Sequence, residues 1–188
     1  ARDRPVAILQ RTLDTTALAG ICGVLLVAFF YQFMLGELPC PLCALQRVGF
    51  IVAGAALVLN LRTGYSPAHY GVIALTAVAA GSASLRQIAL HVVPGSGSYG
   101  SALFGFHFYT WAFVGYGALV AYVGVMLVIA GPGGARERGP AGGGLANAVC
   151  VAFLLLAAAN VAAFLLECGM GPCPDNPVGY LWWPKGLR

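Results

Sequence analysis

Charge is what this sequence has least of: Asp, Glu, Lys and Arg make up 9% of its 188 residues. A soluble domain carries about a quarter, so this chain cannot cover a water-facing surface, and an ordinary cytosolic enzyme is excluded. Its apolar runs also lack the polar/apolar alternation of a closed β-barrel, the other fold that satisfies its backbone in lipid. The ten basic residues stand singly or in pairs between those runs. They form no stripe for a phosphate backbone to follow, which argues against a nucleic-acid partner. What is present is a 60% hydrophobic composition with a mean hydropathy of +0.84. The class this implies is all-α, a small polytopic transmembrane helix bundle forming a single integral membrane domain.

Five apolar runs are long enough to cross a bilayer, at about residues 15–36, 44–61, 70–90, 106–130 and 145–166. The first follows Arg2, Arg4 and Arg11 as a signal peptide would, but it is longer than an h-region and has no small-residue cleavage site, so it reads as a span. Tyr109 and Trp111 open the fourth as an aromatic belt. GPGGARERGPAGGG separates the fourth from the fifth and reads as a loop.

An odd number of crossings places Arg2, Arg4, Arg11, Arg62, Arg136 and Arg138 on one side and Arg47, Arg86, Lys185 and Arg188 on the other. The positive-inside rule then puts the N-terminus in the cytoplasm and the tail, 167–188, on the face away from it. Four of the six cysteines fall on that extracytoplasmic side: Cys40 and Cys43 in PCPLC before span 2, and Cys168 and Cys173 in ECGMGPC after span 5. Disulfides form and persist there. Neither cytoplasmic loop, TGYSP or GPGGARERGPAGGG, contains a cysteine pair. That argues against a carrier of reductant across the membrane.

A CxxC at a helix start puts its second thiol, Cys43, near unpaired backbone N–H groups and the positive end of the helix dipole, which favour the thiolate. Pro41 confines the loop, so a Cys40–Cys43 disulfide is more reducible than a structural bridge. Arg47, four residues beyond Cys43, shares its helix face and offers a cation near the membrane boundary, within reach of a lipid-soluble acceptor. An arginine at a span end is also a common interfacial anchor. Two alternatives stand beside exchange chemistry for the four cysteines. One is a thiolate zinc site, which leaves Arg47 without a role and makes a bound metal the weaker reading. The other is a pair of structural disulfides in a non-catalytic membrane anchor or subunit, with the Trp182–Trp183 tail as its docking segment. Cys22 and Cys150, inside spans, read as packing residues.

LPCPLCALQR resembles the CxxC segment of the DsbB disulfide bond formation family, and LRQIALHVVP at the end of span 3 resembles that family's RQxxLxxxP pattern through Arg86, Gln87, Leu90 and Pro94. The resemblance covers roughly spans 1 to 4. It implies a four-helix core with the fifth helix added, and a relay in which a periplasmic DsbA-like dithiol oxidase is reoxidised by one cysteine pair. That pair is reoxidised by the CxxC, which reduces ubiquinone or menaquinone. By position, Cys40 and Cys43 match the quinone-proximal pair and Arg47 the arginine that assists quinone, with Arg86 and His91 as further candidates for the quinone pocket. Members of the family keep their second pair in the loop between spans 3 and 4. Here that loop, PGSGSYGSALFG, has no cysteine. Sidedness suggests that Cys168 and Cys173 substitute for it. Glu167 beside Cys168 disfavours a thiolate there and makes Cys173 the more reactive of the two.

Overall fold

The structure, a computed structural model, describes residues 3–95, 97–130, 143–175 and 177–182. Arg2, Arg136, Arg138, Lys185 and Arg188, on which the sidedness reading partly rests, and Trp183 of the tail lie outside the described residues. The chain order is α1 (Asp3–Met34), α2 (Pro41–Thr63), α3 (Pro67–His91), the strands β1 (Ala102–Leu103) and β2 (Phe106–His107), α4 (Phe108–Ala130) and α5 (Gly144–Cys168). All five helices are long and apolar enough to cross a membrane. Proline opens α2 and α3 at their first turns, where its missing N–H costs no helical hydrogen bond.

Several boundaries differ from the sequence reading: α2 and α3 each begin three residues earlier than expected, at the prolines that open them, and two others have a tertiary cause. The first helix begins at Asp3 rather than near Thr15, because Asp14 is buried with partners: the hydroxyls of Tyr70 and Tyr122 both donate to its Oδ1. The fourth begins at Phe108 rather than 106, because Leu103 and Phe106 pair across a tight hairpin whose turn residue Phe104 has φ +52°.

The burial pattern is inverted relative to a soluble protein. Leu75, Val128 and Leu155 point outward, while Gln32, Gln87, Asn160 and Glu167 are fully buried. An apolar exterior is what lipid requires, and polar groups inside such a bundle must find one another. Helix α2 packs on all four other helices, most extensively on α3 and then α1, and only lightly on α5 and α4. Gly54 makes one of these approaches possible, since a Cβ there would collide with the ring of Phe153 on α5. The helix that carries the CxxC is therefore in contact with every other helix.

Candidate active site

Cys40 is the N-cap of α2 and Cys43 lies in its first turn, with the two Sγ atoms 2.7 Å apart as free thiols. The backbone N–H of Cys43 donates to Cys40 Sγ at 3.2 Å. This corrects the sequence expectation that Cys43 holds the thiolate. The N-cap position belongs to Cys40, so the unpaired donors of the helix start converge on Cys40 instead. The Cys43 thiol is the largest influence holding the Cys40 thiol below its ordinary range, at about 6, assisted by the N–H groups of residues 43 and 42 and by Gln87, against the opposing effect of burial.

Gln87 completes the cradle and was missed from sequence, where the charge of Arg86 beside it drew attention. Its Nε2 donates to Cys40 Sγ at 3.3 Å and to Cys43 Sγ at 3.5 Å. Its Oε1 accepts from Gln46 Nε2 at 2.8 Å, which fixes which end of the amide faces the sulfurs. The main chain of Gln46 is anchored by Tyr116, whose hydroxyl donates to the Gln46 backbone carbonyl. Replacing Gln87 by leucine removes a donor to the Cys40 thiolate and leaves the Gln46 amide unpaired. The ultraviolet thiolate absorbance of the reduced protein then rises at higher pH than in the native protein, with the midpoint displaced upward by about one unit or less. An unchanged midpoint removes Gln87 from this role.

Cys43 and Arg47 lie on the wall of a cleft of about 480 Å3 between α1, α2 and α4. Val24, Val27 and Tyr31 of α1, Phe50 of α2, and Tyr109 and Ala112 of α4 are among its apolar lining residues. Val24, Val27 and Val114 are also exposed, so the cleft opens on the apolar outer surface of the bundle. Cys40 lies behind Cys43 and does not line it. Arg47 is held by two acceptors on α1: Nη1 donates to Gln32 Oε1, and Nη2 donates to the Ala28 carbonyl at 3.2 Å. Its guanidinium sits 5.8 Å from the ring centroid of Phe164 on α5. The α3–α4 loop closes the top of the cleft, with Tyr99 donating to the Leu38 carbonyl at 2.7 Å and the Ser101 N–H to Glu37 Oε2 at 3.1 Å.

Cys168 and Cys173 form a disulfide with a Cα–Cα distance of 4.6 Å. It stands at the same end of the bundle as the CxxC, because Phe164, one turn before Cys168, touches Arg47 and the tail residue Tyr180 accepts from Gln32 Nε2 at 3.2 Å. The tail returns over the end of α5, where the N–H of Trp182 donates to the Leu166 carbonyl at 3.0 Å and its indole covers Gly169 (φ +63°). Two sequence candidates are placed elsewhere. Arg86 is exposed and outside the cleft lining. His91 is also outside the lining, but its ring stacks on Tyr109, which faces the cleft, and its Nδ1 donates to the Gln87 carbonyl at 2.8 Å. Cys22 and Cys150 are buried in the apolar core, in agreement with a packing role.

A family profile described as "Disulfide bond formation protein DsbB" matches residues 10–101. This segment belongs to the DsbB family. Among relatives named disulfide bond formation protein B, that of Chromobacterium violaceum is 38% identical over 81 residues, covering 40% of this chain and 48% of the relative. That of Marinobacter nauticus is 40% identical over 76 residues, covering 38% and 45%. That of Stutzerimonas stutzeri is 37% identical over 90 residues, covering 45% and 54%. The chain thus spans about half the length of the curated relatives it matches. No solved structure matches the chain significantly. The DsbB segment holds α1 to α3 with Cys40, Cys43, Arg47 and Gln87, and is shorter than the four spans expected from sequence. Helices α4 and α5 and the Cys168–Cys173 pair lie beyond it.

Proposed function

We propose that the protein is an inner-membrane thiol:quinone oxidoreductase that reoxidises a periplasmic, DsbA-like dithiol oxidase and so supports disulfide bond formation. The observation that carries this reading is the placement of the Cys43 thiol and the Arg47 guanidinium on one lipid-open apolar cleft, at the bundle end that holds the Cys168–Cys173 disulfide.

The cleft suits the head of ubiquinone or menaquinone. It is apolar, open toward the lipid where an isoprenoid tail would lie, and carries a cationic donor at one wall. A quinone bound there supplies an acceptor for two electrons and two protons. The residues of the chain do the rest. A thiolate of the periplasmic partner attacks the Cys168–Cys173 disulfide, forming a mixed disulfide and releasing one sulfur as thiolate; the partner's second thiol resolves it and leaves as a disulfide. The reduced pair exchanges in the same way with an oxidised Cys40–Cys43 pair, so two electrons and two protons move inward. Cys43 presents its sulfur to the cleft, and the proton it shares with Cys40 passes to Cys40 when Cys43 is needed as the nucleophile. Arg47, held by Gln32 and Ala28, stabilises negative charge at the cleft wall. In this reading the N-terminus is cytoplasmic and both pairs face the periplasm.

The purified protein in detergent, given a small dithiol and a short-chain quinone, reduces the quinone catalytically. A rate no greater than that of dithiol and quinone alone overturns the proposal.

A further inference from the structure

Among the buried ionisable groups to which the relay gives no task, one also lacks hydrogen-bond partners. Glu167, in the last turn of α5, is fully buried, and neither carboxylate oxygen has a hydrogen-bond partner among the described residues. An ionised carboxylate in such a place needs a compensating charge nearby. Glu167 has one, since it interacts electrostatically with Arg47 and also with Cys40. The other titratable groups facing it are Tyr180 of the tail and Tyr99 of the α3–α4 loop. From α1 the facing group is the neutral amide of Gln32, which bonds both Tyr180 and Arg47.

Where the reduced pair holds Cys40 as a thiolate, this cluster is close to neutral in two ways. With Cys40 and Cys43 joined, a Glu167 carboxylate balances Arg47. With the pair reduced and Cys40 a thiolate, a second anion would stand in the same low-dielectric pocket. We propose that Glu167 holds the balancing proton: it is ionised while Cys40 and Cys43 form a disulfide, and protonated when reduction leaves Cys40 as a thiolate.

The inference rests on the thiol:quinone reading for its electron source and acceptor. On reduction, two electrons from the incoming dithiol break the Cys40–Cys43 bond; of the two accompanying protons, one stays on Cys43 and the other goes to a carboxylate oxygen of Glu167. When the S–S bond re-forms, both protons leave with the two electrons to a quinone-class acceptor. Glu167 touches neither sulfur within hydrogen-bond distance, so its role is to hold charge and proton rather than to react.

Infrared difference spectra of the quinone-free protein, reduced minus oxidised, test this without turnover. A carboxylic C=O band appears on reduction of the native protein, is absent from Glu167→Gln and is shifted in Glu167→Asp. Identical spectra in the native protein and the variants overturn the proposal. Should Glu167→Gln fail to fold, the comparison of native protein with Glu167→Asp decides, an unshifted band counting against it. In turnover, Glu167→Gln slows dithiol-driven quinone reduction by about tenfold or more, and a small weak acid such as formate restores part of the rate. Slowing without rescue marks a structural role and also overturns the proposal. Native protein that gives the band yet reduces no quinone rejects the thiol:quinone reading instead, so the two failures are separable.

Discussion

Replacing Cys43 by serine lowers dithiol-driven quinone reduction to the uncatalysed rate, a loss of at least about a thousandfold. The size follows from the chemistry. A serine hydroxyl forms neither the thiolate that attacks at the cleft nor the disulfide that closes the cycle. Cys43 is also the cysteine among the cleft-lining residues, with Cys40 behind it, so no second sulfur takes its place. The substitution removes no bulk, and the first turn of α2 keeps its N-cap acceptor at Cys40, so the fold is retained. The check is quinone absorbance followed in detergent with the variant at native concentration. Turnover near the native rate excludes Cys43 as the residue that meets the acceptor.

The second large effect separates the two cysteine pairs. In the double variant Cys168→Ser, Cys173→Ser, oxidation of a thioredoxin-fold dithiol partner falls by at least about a hundredfold, while a small dithiol that diffuses to Cys40 and Cys43 directly still drives quinone reduction. The position of the disulfide supports this. It stands at the end of α5, one turn beyond the Phe164 ring that meets Arg47, at the mouth of the reactive end. The tail that crosses it through Trp182 favours a competing view in which the bridge only braces that end. A brace and a relay differ in two readouts. A bracing disulfide resists the glutathione pool and its loss lowers stability; a relay disulfide equilibrates with glutathione, and its loss stops partner oxidation with little change in unfolding. Undiminished partner oxidation by the double variant leaves the substitute-pair idea without support.

The helices were legible because apolar runs of bilayer length in a chain with 9% charge leave few other solutions. Their ends were less so. Asp14 looked like a boundary because its partners, Tyr70 and Tyr122, are 56 and 108 residues away and become neighbours only in the folded bundle. The same distance hid the cradle around the sulfurs. Gln32, Gln46 and Gln87 each stand in an apolar run, and a polar residue there signals an interior role, but the adjacent Arg47 and Arg86 carried the stronger electrostatic argument. For Arg47 that argument led to the cleft wall. For Arg86 it led to the wrong neighbour, since on a helix adjacent residues face about 100° apart, and Gln87 is the one turned inward. The thiolate was assigned to Cys43 because dipole reasoning gives the cap only to within a residue or two, whereas the hydrogen bond from the Cys43 N–H singles out Cys40.

The Asp14 cluster has a mechanical meaning. Its two tyrosine hydrogen bonds tie α1, α3 and α4 together at the end of the bundle remote from the sulfurs, with the carboxylate oxygen as the common knot. At the reactive end the ties are several: Gln87 to Gln46 and both sulfurs, Arg47 to Gln32 and Ala28, the α3–α4 loop to Leu38 and Glu37, and the returning tail. The two ends are thus fastened differently, the base by one shared oxygen and the rim by a spread of separate bonds. Helices α2 and α5, which bring Cys40 and Cys168 to the rim, take no part in the base knot, so among the polar ties it is the rim bonds that hold the two sulfur-bearing ends in register.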